Sequence, residues 1–184
     1  MNTELKGLAE ISVLELQGQK LVVDHHGAKV LGLFFNDTNV LFYDEEDIAH
    51  SGIPLCFPAF GALKNNEFLY DGKSYNMKQH GFIRDSVFTL SEQGEDFLTF
   101  ELKSNAHTLE KFPFDFSFQV RYTLAAGQLH ISLDFKNESL TKMPLAPGLH
   151  PYFAVNNAKD ISFSSLATEG NDQLQDFAVV PASD

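Results

Sequence analysis

The chain has 184 residues, 43% of them hydrophobic and 21% charged, which is enough apolar material for one globular domain with a real core and too much for a disordered chain. Its formal net charge of −12 repels polyanions, so neither nucleic acid nor an anionic membrane surface is an expected partner. Cys56 is the single cysteine, which excludes an intrachain disulfide; residues 1–10 lack an apolar leader core and no apolar run nears the ~20 residues that cross a bilayer, so a cytoplasmic location is expected.

Alternation of apolar and polar residues at period two dominates the chain. Strands are expected at 11–16, 20–25, 28–35 and 40–42, with turn signals at Gln17-Gly18-Gln19 and Asn36-Asp37. From 51 to 85 the alternation breaks and Gly, Pro and aromatic residues are dense, as in segments that carry function over a rigid scaffold; Tyr70-Asp71-Gly72-Lys73 is a turn signal inside it. Strands resume at 87–91 and 98–103, with a turn at Glu92-Gln93-Gly94-Glu95. The clearest pair follows. Phe116, Phe118, Val120, Tyr122 and Leu124 point one way, and so do Leu129, Ile131, Leu133 and Phe135, across a loop at Ala125-Ala126-Gly127-Gln128. That spacing predicts an antiparallel hairpin with one buried and one polar face. A second irregular stretch covers 143–153, and one more strand is expected at 161–163. No segment shows a helical stripe capped at both ends. The whole, 1–184, reads as a single all-β domain, a sandwich or barrel.

The seven histidines include no HxH or HExxH pattern and no Cys-His set, so no metal is expected. His25 and His26 are adjacent and face opposite sides of a strand; His25, His107 and His130 read as surface or edge histidines. His80 precedes Gly81, where the backbone can turn sharply, and Arg84-Asp85 lie just beyond. His150 sits between Gly148 and Pro151-Tyr152-Phe153, whose aromatic rings suit the apolar face of a sugar, and an imidazole titrates where a general acid must. Spacing alone leaves two readings open for each: a functional imidazole, or a loop or core-edge histidine. Cys56, between Leu55 and Phe57 with no basic neighbour in sequence, reads as a small buried residue rather than a nucleophile.

Three segments together resemble the aldose 1-epimerase (galactose mutarotase) family, nearest its glucose-6-phosphate 1-epimerase-like branch. Residues 52–61, Gly-Ile-Pro-Leu-Cys-Phe-Pro-Ala-Phe-Gly, resemble the family's GGIPxxFPxFG; His80-Gly81-Phe82-Ile83-Arg84-Asp85 resembles HGFARD; Phe112-Pro113-Phe114, Asn137 and Gly148-Leu149-His150-Pro151-Tyr152-Phe153 follow the order YPFxF, N, GLHPYF. The resemblance implies an antiparallel β supersandwich and interconversion of the α and β anomers of an aldose or hexose 6-phosphate, with a sugar or sugar phosphate as ligand and no cofactor. By position, His150 resembles the acid that protonates the ring oxygen and His80 the histidine that binds and polarises the sugar beside it. Arg84 resembles a substrate-binding arginine reaching a 6-phosphate. Asp85, His50, Phe57 and Tyr152 are the other residues expected to line the sugar.

Two departures stand out. The branch carries an arginine just before its Gly-Gly pair, where this chain reads His50-Ser51-Gly52; His50 when protonated is a partial substitute. The family's catalytic base is a glutamate beyond the position matching Asp184, and neither Glu169 nor Asp172 stands at its place. The expectation is therefore a domain short of its C-terminal strands, with exposed sheet edges that a homodimer would hide. Three functions follow: an anomer-exchanging enzyme, a carbohydrate-binding module that kept the pocket without the base, or an oligomerising fragment.

Overall fold

The computed structural model describes residues 5, 10–157, 159, 161–162, 164, 166–172, 175 and 178–181. The chain divides into two compact units, 1–154 and 155–184. In the first, β1 (Ile11–Leu16), β2 (Gln19–Asp24), β3 (Lys29–Phe35) and β4 (Thr38–Asn39) form an antiparallel sheet in that order. Gln17 and Gly18 at the first turn have φ of 49° and 79°, the left-handed pair that matches strand twist in a two-residue hairpin. The expected strand at 40–42 is not formed. The Asn39 side-chain oxygen accepts from the Leu33 and Leu41 amides and so interrupts the ladder, leaving Leu41 with an isolated bridge to Phe153.

Residues 51–85 contain structure that no period could announce. β5 (Leu55–Cys56) is two residues long, and β6 (Glu67–Tyr70) pairs with β7 (Lys73–Asn76) across the turn signalled at Asp71-Gly72. The second sheet holds β8 (Thr89–Gln93), β9 (Phe97–Lys103), β10 (Phe116–Ala125) and β11 (Gln128–Asn137), in the order β11-β10-β9-β8. Between β9 and β10 lies α1 (Ala106–Lys111), absent from the sequence reading; Asn105 and Thr108 cap its start reciprocally. The expected antiparallel hairpin β10–β11 is formed, with Phe116 opposite Asn137 through Ala125 opposite Gln128, so the loop expected at 125–128 is a two-residue turn at Ala126-Gly127. β12 (Gly148–Leu149) pairs with β5.

One core joins the two sheets. It takes Leu14, Leu21, Val23 and Val30 from the first, Phe100, Phe118, Val120 and Tyr122 from the second, and Phe57 between them. The buried Tyr122 hydroxyl donates to the Ala28 carbonyl at 2.5 Å, and burial pushes its phenol well above the ordinary tyrosine value. His25, expected at the surface, is buried: its ring meets Phe100 edge-on at 5.1 Å and its Nε2 lies 2.9 Å from the Ser12 hydroxyl. The bonded hydroxyl is what lets an imidazole enter the core. His107 and His130 are exposed as expected.

In the second unit β13 (Glu169–Asp172) pairs antiparallel with β14 (Ala178–Pro181). At the expected strand 161–163, Ile161 and Ser162 are not in a strand, and Phe163 lies outside the described residues. No described helix is long and apolar enough to cross a membrane.

Candidate functional site

Residues 52–61 are the spine on which the other two motif segments assemble, through main-chain hydrogen bonds. On one edge the Pro54 carbonyl accepts from the His150 amide at 3.0 Å and the Gly52 carbonyl from the Tyr152 amide at 2.8 Å. On the other, the Phe57 carbonyl accepts from the Phe82 amide at 3.1 Å and the Gly61 carbonyl from the His80 amide at 2.9 Å. These ladders bring together the imidazoles of two residues seventy positions apart. The His80 and His150 rings are 5.2 Å apart and nearly perpendicular. Phe60 lies 5.2 Å from His80 and 6.1 Å from His150, stacked on the latter. Tyr152 stacks on His150 at 4.8 Å and meets the His50 ring nearly perpendicular at 5.9 Å.

The turn that presents His80 is strained. His80 has φ 67° and Gly81 φ 80°; the left-handed backbone costs a non-glycine residue about 1 kcal/mol and persists only where the surroundings hold it. At Gly81 a Cβ would overlap the Phe57 carbonyl. Gly81→Ala is therefore expected to destabilise the protein by about 3 kcal/mol or more, read as a lower urea midpoint; an unchanged midpoint would show that this turn is not held as described.

The two best-defined histidines carry their protons on opposite nitrogens. The Gly61 amide donates to Nδ1 of His80 at 3.1 Å, so neutral His80 keeps its proton on Nε2 and offers a donor. Nδ1 of His50 lies 2.8 and 2.9 Å from the two oxygens of Asp47, so it carries the proton there and leaves Nε2 free to accept. Burial lowers the His80 pKa below the ordinary imidazole value of 6.5, and the charges of Arg84 and His150 lower it further. As pH falls through about 6.5 the unfolded chain takes this proton before the folded one does. The stability His80 contributes is thus present above that pH and lost as pH falls toward the folded-state value. Urea midpoints compared at about pH 7.5 and about pH 5.5 are expected to drop less for His80→Gln than for the unaltered chain; equal drops would contradict the assignment.

Arg84 is half-buried in the 3-10 turn Ile83–Asp85. Its Nη2 lies 3.4 Å from Cys56 Sγ, and its buried Nε has no hydrogen-bond partner among the described residues. Cys56 is buried as expected, but it does have a basic neighbour in space. Burial raises its thiol pKa, and the Arg84 contact opposes that without cancelling it. Lys29, hidden in an apolar run and unremarked in the sequence, is also buried; its Nζ donates to the Ile48 carbonyl at 2.7 Å, and burial pulls its pKa down.

Of the residues expected to line a sugar, His80, His150 and Tyr152 are in ring contact and His50 joins them through Tyr152. Phe57 does not. Its ring is wholly buried among Phe82, Phe112, Phe116, Phe118 and Phe135, so it supports the spine from the core side, and Phe60, half exposed three residues later, is the aromatic face of the cluster. Asp85 is exposed and its carboxylate is engaged by Lys78 at 3.0 Å; that hydrogen bond is the main cause of its lowered pKa.

Comparisons with known proteins place the chain in a family and a fold. A family model described as aldose 1-epimerase matches residues 14–177. The chain is 33% identical over 106 residues to the LacX protein of a Lactococcus lactis plasmid, covering 54% of this chain and 36% of that one. It is 29% identical over 129 residues to a Salmonella typhimurium protein named "Putative glucose-6-phosphate 1-epimerase", covering 68% and 39%. Among solved structures, a galactose mutarotase related enzyme from Lactobacillus acidophilus superposes with a TM-score of 0.77 at 30% identity, covering 83% of this chain and 52% of that one. A protein from Synechocystis sp. PCC 6803 gives 0.90 at 28% identity, covering 99% and 67%. The architecture is the antiparallel β supersandwich of galactose mutarotase-like proteins. The chain spans well under half the length of the curated relatives named, 36% and 39%.

Proposed function

Because the chain belongs to the aldose 1-epimerase family, we propose that it binds an aldose or hexose 6-phosphate at the His80–His150 cluster and exchanges its α and β anomers. The observation that carries the reading is the pair of imidazoles 5.2 Å apart, flanked by the rings of Phe60 and Tyr152. Anomer exchange needs a proton on the ring oxygen as the bond between C1 and that oxygen breaks, and loss of the hydroxyl proton at C1, here to solvent water, as its oxygen becomes the aldehyde carbonyl. The open chain turns about C1–C2 and closes on the other face, and both protons return.

In this reading His150 donates a proton to the ring oxygen. His80 stays neutral and holds a sugar oxygen with its Nε2–H. Phe60 and Tyr152 cover the sugar's C–H faces, and His50 accepts from a hydroxyl. The Arg84 guanidinium, with no carboxylate partner among the described residues, suits a phosphate. A second reading, sugar binding without turnover, is favoured by one observation: among the described residues no carboxylate is bonded to the ring of His80 or His150.

Titration with glucose and with glucose 6-phosphate, followed through the imidazole C2–H resonances, tests binding apart from turnover. The His80 and His150 signals are expected to move while those of exposed His107 and His130 stay. Arg84→Lys is expected to weaken the phosphosugar more than the free sugar. Unmoved His80 and His150 signals would overturn the site.

A further inference from the structure

Lys29 is the only charged residue between Ala28 and Phe35, and it is 6% exposed. The proposed chemistry does not use it. A buried ammonium is costly, and an apolar side chain of similar volume fills such a position as well or better. Stability therefore does not account for a lysine here. Among the described residues no carboxylate forms an ion pair with it; Asp24, directly opposite on β2, is the negative group that acts on it most. Its hydrogen bond goes instead to a main-chain carbonyl, that of Ile48, at 2.7 Å.

That carbonyl closes the turn that carries His50. In the 3-10 turn Ile48–His50 the Ser51 amide donates to the same oxygen at 3.3 Å, so one acceptor serves both the turn and the lysine. Asp47 starts the turn, and its carboxylate receives both the amide and the Nδ1 of His50. The buried Ser51 hydroxyl donates to the Asp47 carbonyl and accepts from the Asp44 amide, both at 2.9 Å. The next residue of β3 grips the chain just beyond. The Val30 carbonyl accepts from the Ile53 amide at 2.8 Å, and a Cβ on Gly52 would overlap it. His50 itself is exposed, so the direction of its ring depends on this turn rather than on a surrounding core.

We infer that Lys29 is a positioning residue for the sugar site: its buried ammonium pins the turn at Ile48 and so holds the His50 ring, beside Tyr152, in the orientation in which Nε2 accepts from a sugar hydroxyl. The inference rests on the reading of His50 as a sugar acceptor.

Lys29→Met in the full chain removes the ammonium and keeps most of the volume. Without sugar, the His50 C2–H resonance is expected to move, and the Ser51 amide to exchange with deuterium about tenfold faster or more. With glucose, the dissociation constant read from the His80 and His150 resonances is expected to rise about threefold to tenfold, while the anomer-exchange rate at saturating sugar changes less than about twofold. Lys29→Arg, which keeps a cationic donor, is expected to recover part of the loss. Ser51→Ala frees the same turn from its other side and is expected to give the same pattern, even if Lys29→Met does not fold. A double-mutant cycle separates positioning from a purely structural role: on a His50→Ala background Lys29→Met is expected to cost no further glucose affinity. A full additional loss there would overturn the inference, as would an unmoved His50 resonance with an unchanged Ser51 exchange rate. So would a lower urea midpoint with unaltered glucose affinity, which would leave Lys29 a residue of the core alone. Failure of the site itself has a different signature: the His80 and His150 signals of the unaltered chain would stay still with glucose, and the role of Lys29 would fall with the site.

Discussion

Replacing His150 with alanine is expected to lower the proposed anomer exchange by about 10²–10⁴-fold, the usual contribution of a positioned general acid. The fold is expected to survive, because what fixes this segment is the main chain: the residue 150 amide still donates to Pro54 and β12 still pairs with β5. Sugar affinity is expected to fall far less, since Phe60, Tyr152 and His80 remain. The loss therefore belongs in kcat rather than KM. Exchange spectroscopy on glucose and glucose 6-phosphate with the two proteins side by side checks it. Equal rates would remove His150 from the chemistry.

The second large effect lies beneath the site. Phe57→Ala is expected to cost about 3–5 kcal/mol, read from chemical denaturation. Its ring is fully buried and stacks on Phe118 at 5.6 Å and on Phe135 at 5.3 Å, so its removal leaves a cavity that rigid neighbouring strands cannot close. The residue's carbonyl also anchors the His80 turn through Phe82, so loosening the spine is expected to disturb the imidazole pair as well. Phe60→Ala gives the opposite pattern. Phe60 is 51% exposed, so its loss is expected to change stability by under about 1 kcal/mol while weakening sugar binding. If Phe57→Ala were the mild change and Phe60→Ala the severe one, the division between core and site would be reversed.

These two phenylalanines show where a sequence stops being legible. The long hairpin from Phe116 to Asn137 could be read in its faces and pairing, because ten-residue strands repeat their period enough times; its turn is shorter than the loop read at 125–128, since Ala125 and Gln128 are themselves paired. Strands of two residues such as β5 and β12 repeat nothing, and the segment from 51 to 85 accordingly looked irregular. Within it Phe57 and Phe60 stand in similar Pro- and Gly-rich surroundings, and only the ladder to residues 80–82 and 146–152 decides which ring faces the core.

The candidate histidines were singled out by motif order, and the structure brings them together through hydrogen bonds of the main chain, which leave no trace in side-chain identity. The same holds for Arg84 beside Cys56: they are twenty-eight positions apart and nothing in the local sequence links them. Lys29 was hidden for another reason. A charged residue in an apolar strand reads as an outward-facing one unless a carbonyl such as that of Ile48 is known to receive it.

Anomer exchange at the His80–His150 cluster is the proposed activity of this chain. Saturation-transfer NMR on the unaltered 184-residue chain with glucose and glucose 6-phosphate tests it most directly. Transfer between the α and β anomeric signals is expected to be faster than in buffer, and to be lost in His150→Ala. Transfer no faster than in buffer, with bound sugar evident from line broadening, would contradict it and leave a binding site without turnover.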